Sequence, residues 1–167
     1  MSIQFNAASI FEIGIQIEKN GRDFYLEAAR GVSDNTVKAL FGELADWESR
    51  HIEIFEKLKA ELPDREKEDT IFDPGDELSG YLEAAADSHV FADSKEMTRL
   101  ISGLSSPSAA LELALTFEKD SVVYYTTMKK AVAGPLGREK IDALIDEELK
   151  HIAILNKKKM ELEAGKR

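Results

Sequence analysis

An internal repeat with an offset of 100 residues constrains this chain more than any other feature. Without a gap, fifteen residues between positions 10 and 62 recur 100 positions later. They are Glu12, Glu18, Lys19, Tyr25, Val32, Leu44, Asp46, Glu48, His51, Ile52, Ile54, Lys57, Lys59, Glu61 and Leu62. Chance in a charged sequence supplies Lys and Glu matches, but not Tyr, Asp and His in one register. We interpret the pattern as a duplication inside a single domain, with copies over about residues 6–62 and 107–163.

Each copy predicts a pair of long helices. The residues that suit helix caps and helix starts are Asn6, Gly31 and Asp34 in the first copy, and Ser106–Pro107 and Gly134–Pro135 in the second. The first helix is predicted to run to about Arg30, and the second to stop before Pro63. No stretch shows the alternation typical of strands, so the sequence predicts an all-α four-helix bundle.

Residues 63–106 connect the two copies and are too long for a tight helix–helix turn. Asp76 and Ser94 are predicted to start short helices within this crossover. Its candidate buried residues are Tyr81, Leu82, Ala85, Met97, Leu100, Ile101 and Leu104. The segment is long enough to cross the bundle, and we expect it to bring the second helix pair in parallel to the first.

A polar layer interrupts the apolar stripes of the four helices. Glu48 and His51 are three residues apart, so both lie on one helix face. Glu18 and Glu48 are each 15 residues from position 33, so antiparallel pairing brings them to the same height, and the second copy repeats this spacing. The six residues predicted to meet at one level are Glu18, Glu48, His51, Glu118, Glu148 and His151.

This layer predicts a di-metal site, because ionised carboxylates are rare in a core unless they are paired or metal-bound. Two divalent cations would balance the charge of the four carboxylates. The oxygen-rich, nitrogen-poor donor set suits iron or manganese, and also zinc, but not copper electron transfer. The sequence contains no cysteine, which excludes disulfides, thiol nucleophiles and Cys-ligated metal centres within it. A layer of protonated carboxyl groups without metal is the alternative, and it leaves the duplicated motif unexplained.

The segments EKNGRDFY and EKDSVVYY, followed by WESRH and EELKH, resemble the di-iron domain of the rubrerythrin family. The resemblance extends over essentially the whole chain and implies a ferritin-like bundle in which the same six residues bind two iron ions. It also implies reactivity toward peroxide or dioxygen. Rubrerythrins carry an extra Glu in the third bundle helix, where this sequence has Ser121, and a Cys-rich rubredoxin module that this cysteine-free chain does not contain.

Residues beside the predicted ligands have two interpretations each. Tyr25 and Tyr125 follow Glu18 and Glu118 by two turns, so their hydroxyls either donate hydrogen bonds to ligand carboxylates or belong to aromatic rings that only pack. The small residues around the same two glutamates serve either close helix packing or a cavity for the oxidant. These small residues are Gly14, Gly21, Ala114 and Ser121.

The sequence therefore predicts a di-iron oxidoreductase that reduces peroxide or dioxygen with electrons from an external donor, and no catalytic residue beyond the metal site. An iron-binding or iron-sequestering protein and a helical module with a structural metal remain alternatives. With 22 basic and 32 acidic side chains the net charge is −10, which argues against nucleic acid and anionic membranes as partners. No apolar run approaches the roughly 18 residues of a membrane span. We expect a cytoplasmic protein that forms a homodimer.

Overall fold

Four long helices form the fold. A computed structural model of the chain describes residues 6–64, 73, 75, 77, 80–81, 99–104, 106–131 and 135–165. The long helices are α1 (Ala7–Gly31), α2 (Asn35–Ala60), α3 (Pro107–Ala131) and α4 (Pro135–Ala164). Within these ranges there is no strand, so the all-α prediction is confirmed. None of the helices in the described part of the chain is long and apolar enough to cross a membrane.

The helix starts follow from local hydrogen bonds, as predicted. The side chain of Asn6 accepts from the backbone N–H of Ser9 at 2.8 Å, and the Ser9 hydroxyl accepts in return from the N–H of Asn6 at 3.0 Å. Asp34 caps α2 by accepting from the N–H of Val37 at 3.0 Å. Ser106 accepts from the N–H of Ala109 at 3.2 Å, immediately before Pro107 begins α3. The predicted cap at Gly134 lies outside the described residues.

The end of α1 differs from the prediction by one residue. Gly31 is the last helical residue, whereas Val32 is the C-terminal cap, in an extended conformation with φ −77° and ψ 140°. The N–H of Val32 donates to the carbonyl of Ala28 at 3.0 Å, which satisfies one of the last carbonyl groups of the helix. The turn into α2 therefore needs no left-handed glycine at position 31.

The helices pack chiefly as two pairs, α1 with α2 and α3 with α4. Aromatic side chains then join the pairs. Phe24 of α1 is fully buried, with ring centroids 4.8 Å from Phe117 of α3 and 6.1 Å from Phe41 of α2. The Phe55 ring of α2 lies 5.2 Å from that of Tyr125 on α3. Burial of a side chain as large as Phe24 stabilises the fold by roughly 1.5–3 kcal/mol, so these contacts bind the two pairs into one core.

The direction of α3 corrects one expectation. Gly14 approaches Met128, while Phe24 contacts Phe117, so residues that ascend along α1 meet residues that descend along α3. The second pair is therefore antiparallel to the first, not parallel as the crossover length suggested. The physical reason is that a connection that starts at the end of α2 and crosses the bundle must begin α3 at the opposite end.

Part of the crossover lies within the described structure. Residues 99–102 are helical, and the side chains of Tyr81, Ile101 and Leu104 pack against the core, as predicted. The predicted helix starts at Asp76 and Ser94 lie outside the described residues, as do the predicted buried positions Leu82, Ala85 and Met97.

Two glycines of α1 have different surroundings. A Cβ atom added to Gly14 would lie 3.0 Å from Cε of Met128 and 3.2 Å from Cε1 of Phe55, which is closer than ordinary packing allows. At Gly21 the added atom would lie 3.5 Å from Cδ of Glu48, an ordinary contact. Close helix packing thus explains Gly14, whereas Gly21 leaves room for a methyl group beside a predicted metal ligand.

These surroundings predict opposite effects of alanine. Gly21→Ala should raise the free energy of unfolding by about 0.5–1 kcal/mol, since a helical glycine costs about that much relative to alanine. Gly14→Ala should lose this gain or destabilise the protein, because overpacking a tight core typically costs about 1–3 kcal/mol. Urea unfolding of both variants at equal metal content is the measurement. An equal gain in the two variants would contradict the packing described for Gly14.

Candidate metal centre

All six predicted ligand residues converge at the centre of the bundle. Each long helix contributes, because the glutamates and histidines lie on the faces that turn inward. Their exposed fractions are 1% for Glu18, 4% for Glu48, 0% for His51, 3% for Glu118, 1% for Glu148 and 4% for His151. Burial of this many ionisable groups close together requires that protons, hydrogen bonds or cations compensate their charge.

The six side chains form two overlapping clusters that could each hold one metal ion. In each cluster, one potential ligand atom per residue lies within 4.8 Å of all the others. The clusters consist of Glu18, Glu48, His51 and Glu148, and of Glu48, Glu118, Glu148 and His151. Glu48 and Glu148 belong to both clusters, so the arrangement suits two ions that share two carboxylates.

One nitrogen atom tests whether these residues fit a metal. Nδ1 of His51 is buried. Among the buried side-chain nitrogen and oxygen atoms of the described structure, it alone has no hydrogen-bond partner. It points into the cluster, 2.9 Å from Oε1 of Glu148 and 3.4 Å from Oε2 of Glu18. An unpaired buried nitrogen is costly, and a metal ion bound by Nδ1 would remove that cost. The donor set therefore fits a di-metal site.

The four carboxyl groups divide into two kinds. Burial, followed by the charges of Glu18 and Glu148, raises the pKa of Glu48 well above its usual value. Burial and the charge of Glu118 raise the pKa of Glu148 to about 8. Burial also opposes ionisation of Glu18 and Glu118, but hydrogen bonds and the neighbouring histidines lower the pKa of both. In the metal-free protein the shared carboxyls thus hold protons that a metal would displace.

The histidines also gain protons in this environment. Burial disfavours the charged form of His51, but the nearby carboxylates of Glu18, Glu148 and Glu48 outweigh burial and raise its pKa. The same competition, here with Glu118 and Glu148, raises the pKa of His151 to about 9. Since a metal ligand must be a neutral imidazole, metal binding to this centre would release protons from histidines as well.

Two tyrosines contact the centre across the bundle. The hydroxyl of Tyr25 donates to Oε1 of Glu118, and the hydroxyl of Tyr125 donates to Oε1 of Glu18. Each tyrosine thus contacts the glutamate of the opposite helix. Tyr25 of α1 contacts Glu118 of α3, and Tyr125 of α3 contacts Glu18 of α1. This exchange follows from the antiparallel course of α1 and α3. Of the two sequence interpretations, the structure shows the one in which the hydroxyls hydrogen-bond the candidate ligands.

Glu147 contacts a predicted ligand although the sequence pattern did not predict a role for it. Oε2 of Glu147 lies 2.8 Å from Nε2 of His51, on the side of the ring that faces away from the cluster. The only local signal was a second carboxylate directly before Glu148, which is common on a helix surface. The repeat gave no indication of a role for Glu147, because the equivalent position in the first copy is Trp47. The indole of Trp47 in turn lies 6.1 Å from the His151 ring.

Comparison with known proteins agrees with this geometry. A sequence model of the family described as Rubrerythrin matches residues 9–97, which is more than half of the chain. The chain belongs to the rubrerythrin family. Among solved structures it resembles a protein from Thermotoga maritima described as a ferritin-like diiron-carboxylate protein, with 26% identity and a TM-score of 0.74. That match covers 95% of this chain and 97% of the Thermotoga chain. No curated protein matches significantly.

The family and the geometry of the cluster agree on the kind of site. This rubrerythrin-family chain has a ferritin-like all-α fold, and its buried Glu/His cluster is compatible with a di-metal centre. Ser121, the counterpart of Gly21 in the repeat, is buried with 8% exposure. The first helix pair and part of the crossover lie inside the range matched by the family model, whereas the second pair is covered by the structural match to the Thermotoga protein.

The pKa shifts predict how the metal-free protein responds to pH. Glu148 and His151 have pKa values of about 8 and 9 when folded, above their unfolded values of about 4.3 and 6.5. Protonation of both groups therefore favours the folded state, and stability is lost as pH rises through these values. In the presence of a chelator, the free energy of unfolding should fall by at least about 1 kcal/mol between pH 6 and pH 9.

Urea unfolding at pH 6, 7, 8 and 9 measures this dependence. Glu148→Gln is the matched control, because it keeps the shape of the side chain but cannot ionise, and its pH slope should be smaller. A metal-loaded sample should be more stable than the metal-free one at pH 8. A metal-free protein that is equally stable or more stable at pH 9 would show that the cluster does not hold the protons described here.

Proposed function

We propose that the protein is a di-iron oxidoreductase that reduces peroxide or dioxygen with electrons from an external donor. The observation that carries the proposal is the pair of overlapping clusters that share Glu48 and Glu148. Shared carboxylates suit two ions held close together, and two such ions can each supply one of the two electrons that reduce a bound oxidant. The rubrerythrin family and the ferritin-like match support iron as the metal. Manganese and zinc are compatible with the same donors.

The bound metals would supply the change in redox state and the Lewis acidity, and the chain's residues would hold them. Glu18 and His51 would bind on one side, Glu118 and His151 on the other, and the two shared carboxylates between them. Together these are the six ligand residues that the sequence predicts.

The surroundings of the ligands limit how far they can move. Tyr25 and Tyr125 hold Glu118 and Glu18 by hydrogen bonds that survive only while those carboxylates keep their orientation. Phe55 is fully buried and packs against the Tyr125 ring at 5.2 Å, so this side of the centre is closed to bulk water. A dry, preorganised site strengthens the electrostatic interactions inside it.

Two features of the chain shape the proposed activity. The sequence contains no cysteine and so holds no thiolate-ligated iron, which supports the proposal of an external electron donor. Ser121 stands where rubrerythrins have an extra carboxylate, and a serine hydroxyl is a much weaker metal ligand than a carboxylate. We therefore propose that the ligand set stays the same during turnover.

The test is the reaction of the reduced, iron-loaded protein with hydrogen peroxide. Stopped-flow absorbance should show oxidation much faster than for free Fe²⁺ in the same buffer. Glu18→Ala and His51→Ala should slow it by at least about 10-fold, since each removes a ligand, while circular dichroism still shows a helical protein. Glu53→Ala, at an exposed position one half-turn from His51, is the matched control and should react like the parent.

The outcomes separate the alternative functions. Oxidation no faster than for free Fe²⁺ would reject the enzyme. Iron bound far in excess of two ions per chain would then favour sequestration. A permanently bound, inert zinc would instead favour a helical module with a structural metal.

A further inference from the structure

The two halves of the metal centre have matching ligands but different neighbours. Glu147 and Trp47 occupy equivalent positions of the repeat, each directly before a shared glutamate. The Glu147 carboxylate lies 2.8 Å from Nε2 of His51. At the other half, the ring that faces His151 is the indole of Trp47, at 6.1 Å between centroids, and an indole offers no hydrogen-bond acceptor.

We infer that the two metal positions are inequivalent, and that Glu147 is a positioning residue that makes the position at His51 the tighter one. The inference rests on the proposed di-metal function, because it concerns how the same centre takes up its ions. It assigns the first divalent cation to the cluster of Glu18, Glu48, His51 and Glu148. The second cation enters the cluster that contains His151.

The hydrogen bond to Glu147 explains the difference at His51. In the neutral ring that binds a metal, a carboxylate that accepts from Nε2–H leaves the lone pair on Nδ1, the nitrogen that faces the cluster. It also fixes the orientation of the ring and makes Nδ1 a stronger donor. Nδ1 therefore faces Oε1 of Glu148 and Oε2 of Glu18, the oxygens with which it would share a metal ion. His51 is thus preorganised for binding.

His151 starts from a different state. Its Nδ1 makes a hydrogen bond with Oε2 of Glu148 at 3.1 Å, and its ion pairs with the described carboxylates all use this same nitrogen. No carboxylate of the described residues lies within ion-pair distance of its Nε2, so none orients the ring or strengthens Nδ1 as a donor, as Glu147 does for His51. The His151 ring therefore lacks the hydrogen bond that orients His51, and a cation next to it is bound more weakly.

Titration of the metal-free protein with Co²⁺ tests the inference, because the visible absorbance of Co²⁺ reports its coordination and calorimetry reports the affinity. The parent should bind two ions in two resolved steps. His51→Ala should remove the tighter step, and His151→Ala the weaker one. Glu147→Gln should weaken the tighter step about 10- to 100-fold while the weaker step changes by less than about 3-fold.

Three further variants separate positioning from general damage. Glu147→Asp keeps the carboxylate and should restore part of the affinity lost in Glu147→Gln. Trp47→Glu supplies the missing carboxylate to the second half and should tighten the weaker step, whereas Trp47→Phe should not. The Glu147 side chain is 31% exposed, so its substitution should leave the fold intact, which circular dichroism checks.

The possible results are distinct. Two ions bound with one affinity, or an equal loss in both steps on Glu147→Gln, would overturn the inference and leave the proposed function standing. A parent protein that binds no Co²⁺ in the centre would overturn both. Selective loss in Glu147→Gln, together with a selective gain in Trp47→Glu, would establish that the residues at positions 47 and 147 set the order of metal uptake.

Discussion

Four carboxyl groups buried together in the centre of the bundle are the constraint on which the rest of this structure depends. Water is excluded from them, so each negative charge must be met by a proton, a hydrogen bond or a cation. The surrounding residues meet that demand in part: tyrosines donate to Glu18 and Glu118, and Glu48 and Glu148 retain protons. The apolar layers above and below must offset what remains. Metal binding and the stability of the bundle are therefore coupled, because the same four helices form both the centre and the core.

The antiparallel course of α1 and α3 determines how that compensation is arranged. Position 18 faces position 125, and position 25 faces position 118, so each tyrosine reaches a carboxylate on the opposite helix. Had the second pair run parallel to the first, residues with equivalent numbers would have faced each other, tyrosine to tyrosine and glutamate to glutamate. The like charges would then have met without a donor between them. The length of the crossover thus has an electrostatic consequence as well as a topological one.

Sequence reasoning succeeded where the determinants are local or repeated. The caps at Asn6 and Asp34 depend on neighbours within three residues, and the level of the polar layer follows from helical spacing. It failed for the direction of the second pair, which depends on where a long connection ends. It also failed for Glu147, whose partner His51 is 96 residues away on another helix. Such a contact depends on the distance and rotation between α2 and α4, and helical periodicity contains neither quantity.

The ligands themselves leave little freedom for functional change. Loss of one buried carboxylate or imidazole leaves its partners with uncompensated charge, so the six positions tolerate few substitutions. The neighbouring positions carry no such penalty, and there the two copies differ: Gly14 corresponds to Ala114, Gly21 to Ser121 and Trp47 to Glu147. A nearly symmetric set of ligands thus lies among asymmetric neighbours. Differences in affinity, redox behaviour or access between the two halves must therefore originate in these neighbours, since the ligand sets cannot supply them.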